Sequence, residues 1–73
     1  MTNLERMAAL YGEAASYSEY HIGDRITYLS AHKRKGGTVV YVVAATPTQP
    51  LIYVVSPDVE KFPEEVLASE ILV

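Results

Sequence analysis

Apolar side chains near the start of the chain recur at intervals of three and four: Leu4, Met7, Ala8, Tyr11, Ala14 and Ala15 fall on one helical face, while Glu5, Arg6 and Glu13 lie mainly elsewhere. Thr2 and Glu5 have the spacing of a capping box, in which each side chain satisfies a backbone N–H near the other. The pattern predicts an amphipathic helix over 2–16. Gly12 costs a helix interior about 1 kcal/mol relative to Ala, which leaves the second half to fray or the helix to stop early. Ser16 to Glu19 is polar, and beyond it Tyr20, Ile22, Ile26 and Tyr28 fall on alternate positions, the rhythm of a strand. Gly23 and Asp24 read as a turn or bulge, leaving Arg25 to Leu29 as a strand with Ile26 and Tyr28 facing inward.

Ser30 to Gly36 reads as a polar, basic loop, with Gly36 and Gly37 supplying the positive φ angles of a tight return. Thr38 to Ala45 is apolar at consecutive rather than alternate positions, so both faces of this strand should be covered. One face suits a core and the other suits the N-terminal helix or a second copy of the chain. Thr46 to Pro50 is a loop, and Leu51 to Val55 its hairpin partner. Ser56 and Pro57 suggest a capped helical turn through Val59 and Phe62, ended by Pro63. The remainder predicts a short strand from Glu64 to Ala68, one turn, and a closing strand ending at Val73.

Between His21 and Val43 the chain reads Ile22, Gly23, Asp24, Arg25, Ile26, Thr27, Tyr28, then a basic stretch ending Lys35, Gly36, Gly37, Thr38, Val39. This resembles the KOW-type opening of SH3-like barrels, in which a Gly-Asp pair begins a strand, a basic loop follows, and a Gly-x-Val step begins the next strand. The tail from Val66 to Leu72 is similar to the last turn and closing strand of such barrels. The expected fold is therefore mainly β: an N-terminal helix (2–16) plus a five-stranded antiparallel SH3-like small barrel (20–73), together a single domain over 1–73. Barrels of this type include nucleic-acid-binding modules, peptide adaptors and accessory subunits, so the resemblance implies a fold and leaves the function open.

Composition narrows the function classes. Seventy-three residues allow one small domain, which must be held by packing, since there is no cysteine for a disulfide or a thiolate metal site. Nearly half the residues are apolar and about a fifth charged, as in globular proteins. The longest nearly apolar run, Val39 to Ala45, is about a third of a membrane span. The first fifteen residues carry Glu5 and Glu13 and lack the basic leader and apolar block of a secretory signal, so the expected location is the cytoplasm, with no membrane partner. A net charge of −3 disfavours broad attraction to nucleic acid.

One stretch runs against that charge: Lys33, Arg34 and Lys35 hold three of the six positive charges, with His32 beside them and Arg25 upstream. The resemblance to KOW modules implies that these residues contact phosphates; three such contacts would give a salt slope of only about −3. Tyr28, Tyr41 and Tyr53 sit in strand patterns and belong to the core. Tyr17 and Tyr20, at the helix-to-strand junction, are the tyrosines most open to a ligand, although packing under the helix is their plainer fate. His21 and His32 have no metal-ligating companions at a usable spacing, no cofactor is expected, and the serines lack any nucleophile motif. Asp58, Glu60, Glu64 and Glu65 around Phe62 read as a charged rim on a turn. The leading expectation is a non-catalytic protein-interaction or adaptor module whose apolar Thr38 to Val55 hairpin meets a partner or a second copy. The competing one is nucleic-acid binding through residues 32–35.

Overall fold

The computed structural model describes residues 2–72. A helix, α1 (Asn3–Tyr11), precedes five strands: β1 (Arg25–Ser30), β2 (Lys33–Val43), β3 (Ile52–Pro57), β4 (Glu64–Leu67) and β5 (Ile71–Leu72), with a 3₁₀ turn (Ala68–Glu70) before the last. Every pairing is antiparallel and the strand order is β4-β3-β2-β1-β5. β4 and β5 thus lie at opposite edges of the sheet yet are separated by three residues. One short turn can join the two edges only because the sheet rolls up between them. The result is a mainly β, curled half-barrel led by one helix, as expected from the alternation. Met1 and Val73, the expected last residue of the closing strand, lie outside the described residues.

The concave side of the curl is filled by Ile26, Tyr28, Val39, Val42, Tyr53, Val55, Val66 and Ile71, all buried. The consecutive apolar run in β2 resolves into two faces through a β-bulge. Val39 pairs with Val55, but the next pair is Tyr41 with Val54, so Val40 is the extra residue and the alternation resets after it. Val39 and Val42 therefore face the interior, while Tyr41 and Val43 join Val54 on the outer face. There α1 covers them with Met7 and Tyr11. Of the two coverings expected for that face, the helix provides one, and the apolar excess of the hairpin is accounted for within one chain.

The predicted helix over 2–16 is shorter, stopping at Tyr11. The capping box of Thr2 and Glu5 is present, and the stop is Gly12, whose φ of 128° lies where side chains other than hydrogen are rarely tolerated. Gly12 turns the chain back along β2, and Tyr41 fixes the turn by donating its hydroxyl to the Gly12 carbonyl at 2.7 Å. Ala15 N–H then donates to Val42 O, Ala44 N–H to Glu13 O, and Ala14 forms a bridge with Val43.

The basic stretch corrects another expectation. Ser30 to Gly36 is not a loop: the ladder between β1 and β2 continues to Ser30 opposite Lys33, leaving a two-residue turn of Ala31 and His32. These two residues, not Gly36 and Gly37, carry the positive φ angles, 51° and 67°, the pattern of a type I′ hairpin turn. Gly37 is required for a different reason. A Cβ there would stand 2.7 Å from Ser56 O and from Val55 Cγ1, so the glycine admits the close approach of β3. The helical turn expected through Val59 and Phe62 is also absent, because β3 runs on to Pro57, opposite Gly37, and the chain beyond it is an irregular loop to Pro63.

Candidate functional site

Two surfaces emerge, the loop between β3 and β4 and a hollow beside β2. The loop, residues 58–63, is fixed at its entry and its exit. At the entry the Arg25 guanidinium meets Asp58 with both arms, Nη1 to Oδ1 at 2.6 Å and Nη2 to Oδ2 at 2.7 Å, while Asp58 N–H donates to Gly36 O. This pair raises the Arg25 pKa and holds the Asp58 carboxyl below its ordinary value, in both cases chiefly through the hydrogen bonds between them. The pair is largely open to water, so it positions the loop and contributes little to stability.

Lys35 makes the second anchor. It faces the same side of the β1–β2 ladder as Tyr28, its direct partner, and its ammonium bridges Glu60 and, at 2.8 Å, Glu64. The Lys35 and Glu64 side chains are only 18% and 23% exposed, and Ser30 adds a hydrogen bond to Glu64 Oε1 at 3.2 Å. The bonds to Glu60 and Glu64 raise the Lys35 pKa, and the bond from Lys35 holds Glu64 low against the opposing effect of burial. Below this cluster the Tyr28 hydroxyl and Glu64 Oε2 are both buried and neither has a hydrogen-bond partner. Burial, and then the Glu64 carboxylate, push the Tyr28 phenol well above the tyrosine range.

Between these anchors Val59 and Phe62 point into solvent, 88% and 79% exposed. Asp58, Glu60 and Glu64, read in the sequence as an ordinary charged rim, are instead what ties this apolar pair in place. No local motif marks the arrangement, because Arg25 and Lys35 reach it from another hairpin.

The same ion pairs divide the basic group expected to act together. Arg25 and Lys35 are engaged with carboxylates. His32, Lys33 and Arg34 are exposed at the hairpin tip, where Lys33 stands opposite Ser30 and Arg34 opposite Leu29, which places them on opposite faces of the ladder. Tyr20 and Tyr17 separate as well. Tyr20 packs edge-on against Tyr53, with ring centroids 5.6 Å apart, and Tyr17 is 82% exposed, so the expectation that it packs under the helix is corrected: α1 ends before the junction and does not reach over it.

No family model, curated protein or solved structure matches this chain.

The second surface is a hollow of about 280 Å³ where the chain between Ala15 and Gly23 leaves the β2 edge. Ala14, Ala15, Ile22, Tyr41 and Val42 line it, with Ser18 and His21 as its polar members. Ser18, His21 and Asp24 do not form a relay. Ser18 donates its hydroxyl to Tyr20 O at 2.6 Å, and Asp24 closes the turn by accepting His21 N–H at 2.8 Å, with His21 Nδ1 3.8 Å away. Among the described residues no helix is long and apolar enough to cross a membrane.

Proposed function

We propose that the chain is a non-catalytic protein-interaction module that meets its partner through the loop 58–63. The observation that supports this reading is the display of Val59 and Phe62 on a tethered loop. A chain that exposes two large apolar side chains at the end of a floppy segment gains little by it; one that fixes their backbone has already lost the entropy a partner would otherwise have to remove. Pro57, buried at the end of β3, and Pro63 limit the backbone further. Aromatic side chains that fill a partner's pocket commonly dominate binding energy, which casts Phe62 as the anchor. Self-association through the Thr38 to Val55 hairpin is disfavoured, because α1 occupies the outer face of that hairpin.

The test is a quantitative capture from native cell extract by the intact chain and by two variants, Val59→Ser/Phe62→Ser and Lys33→Ala/Arg34→Ala. A protein retained by the parent and by the hairpin variant, and lost by the loop variant, is the expected result. Retention of the same proteins by all three overturns the reading. Recovery of RNA or DNA that only the hairpin variant loses supports the competing nucleic-acid reading instead.

A further inference from the structure

The hollow beside β2 is independent of the loop and has its own chemistry. Backbone hydrogen bonds tie β2 to Ala15, Gly23 and Asp24, and Ala44 just beyond it to Glu13; among the described residues none ties β2 to the residues between Ala15 and Gly23. That stretch touches the sheet through Tyr20, packed on Tyr53, and leaves beside β2 a recess with mostly apolar walls. Its volume of about 280 Å³ lies just below the range for small-molecule sites, roughly 300–1,000 Å³, which suits one side chain better than a cofactor.

Charge selects the occupant. From Met7 to Asp24 there is no Lys or Arg, while Glu13, Glu19 and Asp24 flank the lining residues in the chain. Among the described residues Glu13 and Glu19 take part in no ion pair, and Asp24 faces only His21. Tyr17, next to Ser18, offers an open aromatic face of the kind that attracts a guanidinium. We propose that this recess takes an aliphatic side chain from a basic peptide segment, with Lys or Arg on either side of it resting against the carboxylates and Tyr17.

The test is a ¹⁵N-resolved NMR titration of the intact chain with three synthetic peptides, capped Gly-Arg-Leu-Arg-Gly, Gly-Glu-Leu-Glu-Gly and Gly-Arg-Gly-Arg-Gly. The Arg-Leu-Arg peptide alone should shift the amides of Ala14, Ala15, Ile22 and Val42. Its affinity should fall about threefold in Glu13→Gln/Glu19→Gln, and binding should be lost in Ala14→Leu, which fills the recess from an exposed position. If Ala14→Leu does not fold, the charge variant decides. Phe62→Ser should bind the peptide unchanged, separating this site from the loop. Equal shifts with the Glu peptide, shifts confined to other residues, or no shifts overturn the proposal.

Discussion

Single residues carry the sharpest tests of the structure. Ala31 and His32 both hold positive φ, a conformation that costs roughly 1–2 kcal/mol for a residue with a side chain. Replacing them by Asn and Gly, the residues that suit a type I′ turn, should raise stability by about 1–2 kcal/mol in urea unfolding. The two neighbouring glycines should behave differently. Gly37→Ala forces a Cβ against the β3 backbone and is expected to cost about 1–3 kcal/mol, whereas Gly36→Ala meets the Asp58 carboxylate at 3.1 Å and the Ile26 carbonyl only at 4.0 Å, and should cost less. Tyr28→Phe removes a hydroxyl that has no partner, so its stability should stay within about 1 kcal/mol of the parent. At this scale the inward placement of Ile26, Tyr28 and Tyr53 was legible, since alternation and β propensity both report burial; the burial of Tyr41 was legible too, but not its place on the outer face under α1. The roles of Arg25 and Lys35 were not, because their partners lie 33, 25 and 29 positions along the chain and charge spacing says nothing about such distances.

At the scale of elements, the helix and the central hairpin depend on one another. Met7 and Tyr11 are the side chains with which α1 covers Tyr41, Val43 and Val54. Met7→Ala/Tyr11→Ala should cost about 2 kcal/mol and leave the outer face of β2 and β3 open. Sedimentation should then show the parent as a monomer and the variant associating as concentration rises; a variant that remains monomeric and as stable as the parent contradicts this role for α1. The helix start and the strand–turn–strand ending near Ser69 could be read from capping and periodicity, whereas the helix end could not, because Ala14 and Ala15 keep the helical spacing beyond Gly12. The hairpin turn could not, because a glycine pair is the strongest local sign of a return, and here register with β3 claims Gly37 for close packing while the turn falls on residues with no turn preference. The bulge at Val40 was hidden for a similar reason: an unbroken apolar run has no phase to reset.

For the whole molecule, the shielded Lys35–Glu64 pair and the buried Tyr28 contribute most of the pH dependence that arises from this cluster and the ion pairs, and the open Arg25–Asp58 pair adds little. Asp58 and Glu64 have lowered carboxyl pKa values, so their contribution is complete above the ordinary carboxylate range and is lost as pH falls through the lowered values. Tyr28 and Lys35 are raised, so theirs is complete at neutral pH and is lost in strong alkali. Thermal midpoints followed by circular dichroism should form a plateau that falls away below about pH 4 and above about pH 10. Lys35→Met should shrink the acid limb, because Glu64 then lacks the cation that holds it ionised. These anchors matter for function through the loop between β3 and β4, whose fixed display of Val59 and Phe62 underlies the proposed interaction. Backbone ¹⁵N relaxation measures that directly. Order parameters of about 0.8 from Val59 to Phe62, matching the strands, are expected for a tethered loop; values under about 0.6 would show a loose segment and contradict it.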